Sequence, residues 1–232
     1  MERLALRVVA VLAVAPVIGW HSSAARAVEA FAQTYAKRGM KVLDVGGRDV
    51  NGGARKYFEE RACKFVCLDM EKGAGVDVVS PPGQPFPFAD GSFDLVITTS
   101  TFEHDPMFWM TIREMARVVR LGGFVYVNAP SAGFYHGYPD DNYRFYRGAA
   151  GSLAFWCGKA FGGVPAYPLR VVEQHFEHEQ PWFDNVMVWE RCSSPATSFM
   201  LGRSHDANDP HDRMHKHRNN KSNPISLVDM LV

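Results

Sequence analysis

Four short runs, KVLDV at 41–45, FVCLD at 65–69, FDLVIT at 93–98 and FVYVN at 124–128, recur along the middle of the chain, each ending in or followed by Asp, Gly, Thr or Asn. They are nearly continuously apolar, as a strand buried on both faces is, where a half-exposed strand would alternate. Between them lie segments with apolar residues at helical spacing. Residues 24–38 carry Ala27, Val28, Phe31 and Tyr35 and stop at Gly39. Residues 51–63 carry Ala54, Tyr57, Phe58 and Ala62, and residues 107–119 turn Met110, Ile112, Met115, Val118 and Val119 inward before Leu121-Gly122-Gly123. Buried strands alternating with amphipathic helices predict an α/β fold, a doubly wound and mostly parallel sheet with helices on both faces. The same reading gives a brief strand at 75–79, a Pro/Gly/Phe loop at 81–90, a helix at 151–159 and two strands at 169–175 and 186–191. The last two are close enough in sequence to form an antiparallel pair at the sheet edge.

At 232 residues the chain holds one such domain plus appendages, and we place the domain at residues 28–192. Within residues 1–27, the stretch 4–19 is apolar and is interrupted by Arg7; its unbroken part, 8–19, contains Pro16 and is too short to span a bilayer. A basic start, an apolar stretch and the small residues around Ala25-Arg26-Ala27 have signal-peptide proportions. An N-terminal helix packed on the domain is the other reading. The expected location is cytoplasmic, with the secretory pathway as the alternative if residues 1–27 are a leader. From Ser193 the chain turns polar and rich in turn formers, as a disordered tail does, and His205, His211, His215 and His217 lie in it. Such a tract can bind divalent metal, but its spacing fixes no single face, so a solvated tail is expected.

Lys plus Arg and Asp plus Glu both number 25, so nothing in the charge balance points to nucleic acid and a small-molecule partner is expected. Cys63, Cys67, Cys157 and Cys192 are too scattered for a disulfide framework. Cys63 and Cys67 have no second pair nearby to complete a zinc site, and no metal is expected.

In a doubly wound sheet, ligands bind beyond the carboxyl ends of the strands, so the residues after each strand carry the function. After the first come Asp44-Val45-Gly46-Gly47-Arg48, whose glycines let the backbone approach a ligand. After the second comes Asp69, able to accept both hydroxyls of a ribose. The fourth ends in Thr98-Thr99-Ser100-Thr101 and the fifth in Asn128-Ala129-Pro130-Ser131. The dinucleotide fingerprint G-x-G-x-x-G is absent, which argues against a nicotinamide-dependent oxidoreductase.

The segments VLDVGGRDVNGG, FVCLDMEKGAGVDVV, FPFADGSFDLVITTSTFEH and MARVVRLGGFVYVNAPS occur in this order over residues 42–131. In this the chain resembles the class I S-adenosylmethionine-dependent methyltransferases, most closely the methyltransferase-11 type domains. The resemblance implies a Rossmann-like seven-stranded sheet whose last strand is antiparallel, and S-adenosyl-L-methionine as cofactor. By position it implies Asp44 near the methionine amino group and Gly46 and Gly47 beside the ligand. Asp69 would lie on the ribose, Met70 against the adenine face, Asp77 or its neighbour Val78 by the adenine amino group, and Thr99 and Ser100 along the methionine moiety. The chain departs from the family at Arg48, where glycine is usual, and Gly47 stands where glycine is not required.

Methyl transfer from a sulfonium is an in-line displacement that mainly needs a positioned nucleophile and a dry pocket. If a proton must leave the acceptor, His104 is placed to take it, with Glu103 and Asp105 flanking it to orient it. Capping of the next helix is the structural alternative for Glu103 and His104. The loop GFYHGYPDDNYRFYRGAAG at 133–151 is dense in aromatic and charged residues, suited to a lid over the acceptor or to anchoring on the sheet edge. The function expected is methyl transfer to a small-molecule acceptor. The alternatives are a non-catalytic module that binds the same cofactor and a nicotinamide-dependent oxidoreductase.

Overall fold

The computed structural model describes residues 21–50 and 52–194; the apolar stretch 4–19 and the His-rich segment lie outside the described residues. In chain order the elements are α1 (Ser22–Tyr35), β1 (Lys41–Val45), α2 (Arg55–Glu59), β2 (Lys64–Asp69), β3 (Val78–Val79), β4 (Phe93–Thr99), α3 (Phe108–Val118), β5 (Val119–Ala129), α4 (Ala149–Cys157), β6 (Leu169–Phe176) and β7 (Asn185–Arg191).

The strands form one seven-stranded sheet in the order β3-β2-β1-β4-β5-β7-β6. Every pair from β3 to β5 is parallel, whereas β7 runs antiparallel to both β5 and β6. The expected antiparallel pair is therefore present, with β7 inserted next to β5 and β6 left on the edge. Strand order reverses between β1 and β4, which is the switch point where such sheets open a crevice.

The two-residue period of the strands sends alternate side chains to two cores. Leu43, Val96, Val125, Val127 and Trp189 face α3 and α4, where Ile112, Met115, Leu153 and Cys157 meet them. Val42, Leu95, Ile97, Tyr126 and Val188 face α1 and α2, where Val28, Phe31, Tyr57 and Phe58 pack. Helices thus cover both faces. Trp189 is fully buried and donates its indole N–H to the Ala150 carbonyl at 3.0 Å, so its burial leaves no polar cost.

Local structure departs from the sequence expectation at three places. The helix expected over 51–63 contracts to Arg55–Glu59, because Gly52 (φ 125°) precedes it and Ala62 (φ 55°) turns the chain left-handed behind it. The strand expected over 75–79 contracts to Val78–Val79, since Gly75 (φ 73°) sits in a turn. Strand β5 begins at Val119, directly after α3, and takes Gly122 and Gly123 into an irregularity of its pairing with β4. A Cβ on Gly123 would stand 2.6 Å from the Asp94 carbonyl oxygen, so only glycine lets the two strands close at that point.

Candidate functional site

A cavity of about 860 Å³ opens at the carboxyl ends of β1, β2 and β4. Asp44, Gly46, Gly47, Asp69, Met70, Thr99, Ser100 and His104 all line it. Eight of the residues singled out from sequence therefore converge, because they stand at or after the carboxyl ends of β1, β2 and β4 and these strands are in register: Asp44 pairs with Cys67 on one side and Ile97 on the other.

The β1 turn is built tightly. Gly46 has φ 73° and its N–H donates to the Leu68 carbonyl at 2.8 Å, tying the turn to β2. A Cβ at Gly46 would stand 2.4 Å from Thr101 Cγ2, and one at Gly47 would stand 2.3 Å from Asp44 Oδ2. A side chain at Gly47 would therefore displace the Asp44 carboxylate, which occupies that space. Asp44 is 5% exposed, and its burial pushes its carboxyl pKa up to about 7, with Arg55 opposing and Asp69 adding to the rise.

Asp69, 8% exposed, accepts the backbone N–H groups of Arg48 and Glu71, each at 3.2 Å, one on each carboxylate oxygen. Those two bonds fix the carboxylate while leaving lone pairs for a further donor. The Thr99 and Ser100 hydroxyls are buried and make no hydrogen bond among the described residues, and Ser100 holds φ 49°. Met70 is exposed beside them along the cavity wall.

Two expected site residues lie elsewhere. Asp77 is not in the cavity wall; its Oδ2 accepts the Cys67 N–H at 2.8 Å and Arg55 Nη2 at 2.6 Å, so it locks β2 to α2. The wall it was expected to supply is formed by residues 80–86. Glu103 is 1% exposed and turned away from the cavity, with burial pushing its pKa up to about 8 and Asp184 and Asp141 adding to the rise against Arg144. At neutral pH it is mostly protonated, and its Oε1 stands 3.7 Å from His104 Nε2. Neither residue caps α3. Asp105 accepts the Met107 N–H, one residue before the helix, at 2.8 Å and also the Thr111 hydroxyl, and α3 has no side-chain cap.

His104 Nδ1 lies 2.5 Å from the Asp140 carbonyl oxygen, which accepts the ring N–H and leaves Nε2 as the basic nitrogen. The loop containing Asp140 both anchors and covers. Its anchor is the Asn142 N–H on the Glu103 carbonyl at 2.7 Å and the Phe145 N–H on the Pro130 carbonyl at 2.9 Å, and within the loop Arg144 makes a two-pronged pair with Asp141 at 2.5 and 2.7 Å. Arg144 draws the Asp141 carboxyl down to about 2 against the opposing effect of burial, with the His136 N–H assisting. Its cover is Tyr138, which lines the cavity and accepts Arg48 Nη2 at 2.6 Å. Arg48, the residue that departs from the family pattern, thereby joins the β1 turn to this loop, while its Nη1 donates to Glu71 at 2.9 Å.

Sequence reading missed the far wall. Met110, expected to face the core, is exposed to the cavity with Trp109, and Trp156, Phe161 and Val164 join them from α4 and the turn after it. The signal was two large apolar residues, Trp109 and Met110, side by side in the first turn of α3, where one helix face cannot bury both.

Residues 27–127 match the family model described as a methyltransferase domain. A protein of Mycobacterium sp. (strain JLS) described as an uncharacterized methyltransferase is 37% identical over 94 residues, covering 37% of this chain and 36% of its own length. The fatty-acid O-methyltransferase of Mycolicibacterium smegmatis is 32% identical over 125 residues, covering 47% of this chain and 42% of its own. The chain thus spans less than half the length of these relatives. The crystal structure of the Burkholderia thailandensis 1,6-didemethyltoxoflavin-N1-methyltransferase, with bound 1,6-didemethyltoxoflavin and S-adenosylhomocysteine, superposes with a TM-score of 0.55. It is 16% identical, over 73% of this chain and 79% of that one. The ordered strand-end motifs and the sheet they sit on thus coincide with the stretch, residues 27–127, that is similar to the methyltransferase domain model.

Proposed function

We propose that this chain moves a methyl group from S-adenosyl-L-methionine to a small-molecule acceptor. The observation that carries the reading is the pairing of two nearly buried carboxylates, Asp44 and Asp69, on adjacent strands around a turn that admits no Cβ at Gly46 or Gly47. The residues fit the cofactor. The buried Asp44 suits an ammonium group, Asp69 suits two ribose hydroxyls, and the hydroxyls of Thr99 and Ser100 have hydrogen-bonding capacity to give to the methionine part. Met70 and residues 80–86 enclose the remaining wall, against a planar base.

When bound, the cofactor supplies an electrophilic methyl group on sulfur. The chain holds the acceptor in line with it and excludes water, Tyr138 and Pro139 covering the cavity from the aromatic loop. His104 Nε2 takes the acceptor's proton where one must leave, and the Asp140 carbonyl holds the ring in the tautomer for that role. Glu103 acts as a positioning residue behind His104.

Calorimetry of the purified chain with S-adenosylhomocysteine, followed by transfer of labelled methyl into a fractionated extract, tests the reading. Absence of binding overturns it. Binding without transfer to any acceptor would favour the non-catalytic module, and binding of a nicotinamide nucleotide instead would favour the oxidoreductase.

Among the described residues no helix is long and apolar enough to cross a membrane. A cytoplasmic location is supported by α1, since cleavage near Ala27 would remove Ser22 and Arg26, which hold Glu179, and Ala24, which is fully buried. A mature N-terminus beginning near Val28 would move the chain to the secretory pathway.

A further inference from the structure

We infer that the acceptor is an uncharged apolar molecule, aromatic or alkyl, held between α3 and the turn after α4; this rests on the cofactor reading above and names the acceptor class for the same cavity. Trp109, Met110, Trp156, Phe161 and Val164 reach the cavity from three separate segments. Trp109 is 37% and Phe161 68% exposed, so large apolar surfaces meet the cavity without cover from the rest of the domain. Such surface favours an apolar partner that displaces water from it.

The charged groups at this end are held in place by the protein, although the Arg113 Nε makes no hydrogen bond among the described residues. Arg113 Nη2 donates to the carbonyls of Lys159 at 2.7 Å and Pro165 at 2.9 Å, and its Nη1 reaches the Trp156 carbonyl at 3.4 Å. Glu114 is held by Arg117 at 2.6 Å and by the Phe86 N–H at 2.7 Å. Asp105 is engaged by the Met107 N–H and Thr111. Even the Trp156 indole N–H is taken, by the Trp109 carbonyl at 2.7 Å. A carboxylate or ammonium entering here would lose its water against this apolar wall, a cost that an uncharged acceptor does not bear. An apolar acceptor with one nucleophilic atom directed toward His104 meets no such cost.

The test uses the full chain saturated with S-adenosylhomocysteine and two probes, 1-naphthol and sarcosine, with binding followed by calorimetry. We expect 1-naphthol to bind at least tenfold more tightly than sarcosine. Trp109→Glu and Phe161→Asp should each weaken 1-naphthol at least tenfold while changing S-adenosylhomocysteine affinity less than twofold. Phe161 is largely exposed, so its variant keeps the test valid should the Trp109 variant fail to fold. Sarcosine binding equal to or tighter than 1-naphthol, or 1-naphthol binding unaffected by Phe161→Asp, would overturn the inference. Failure of the cofactor reading shows separately, as loss of S-adenosylhomocysteine binding with 1-naphthol binding intact.

Discussion

Arg48 Nη2 donates to the Tyr138 hydroxyl at 2.6 Å, linking the turn after β1 to the aromatic loop across the cavity that both residues line. The guanidinium also stands 5.5 Å from the centre of the Tyr138 ring, so the contact combines a charge-assisted bond with a cation–π interaction. Arg48→Ala keeps the backbone N–H on Asp69 and removes this link together with the Nη1 bond to Glu71. We expect it to speed amide exchange of residues 134–140 and to raise the acceptor KM several-fold, read by hydrogen exchange and steady-state kinetics. Unchanged exchange would mean that the loop is held without this link, by its backbone bonds to Glu103 and Pro130.

Asp69→Ala removes the acceptor proposed for the ribose hydroxyls. Hydrogen bonds to a charged group contribute about 1.5–3 kcal/mol each, so S-adenosylhomocysteine affinity should fall roughly 10- to 100-fold or more. Calorimetry that finds the affinity unchanged would remove Asp69 from the site.

Asp44 carries a pH prediction with a definite sign. Its pKa of about 7 in the ligand-free chain means that the carboxylate needed to meet an ammonium group is only half formed at neutrality. Cofactor affinity should therefore rise with pH, by up to about tenfold per unit below pH 7, and level off above pH 8. In Asp44→Asn the affinity should be weaker and nearly flat over the same range.

Glu103 gives a stability prediction of the same type. Its folded pKa, about 8, lies above the ordinary carboxylate value, so the folded chain binds the proton more tightly than the unfolded one. The stabilisation is complete below the unfolded pKa and is lost as pH rises through 8. Glu103→Gln should therefore gain on the wild-type chain between pH 5 and 9, by on the order of a few kcal/mol at the upper end. Denaturant melts across that range measure it, and parallel curves for the two proteins would refute it.

Glycine substitutions separate the turn from the scaffold. Gly47→Ala drives a Cβ to within 2.3 Å of Asp44 Oδ2 and should cost at least tenfold in S-adenosylhomocysteine affinity. Gly151→Ala, inside α4 with nothing within 4 Å of the added Cβ, should instead stabilise the chain by about 0.5–1 kcal/mol through helix propensity.

The sequence by itself determined the sheet, the two helical layers and most of the cofactor end of the cavity. Buried strands announce themselves as unbroken apolar runs, and the strand-end rule then places Asp44, Gly46, Asp69, Thr99 and Ser100 together without knowledge of packing. What only the tertiary structure decided depends on distances between segments far apart in the chain. Whether Asp77 faces the cavity was settled by Arg55, and whether Glu103 faces it was settled by burial beneath the aromatic loop. A side chain at Gly47 would meet the Asp44 carboxylate, a fact with no local signature. The acceptor wall combines Trp109 and Met110 with Trp156 and Phe161, roughly fifty residues later in the chain, and Arg48 finds Tyr138 across ninety positions. Periodicity reports which face of an element is apolar; it does not report which distant element comes to meet that face.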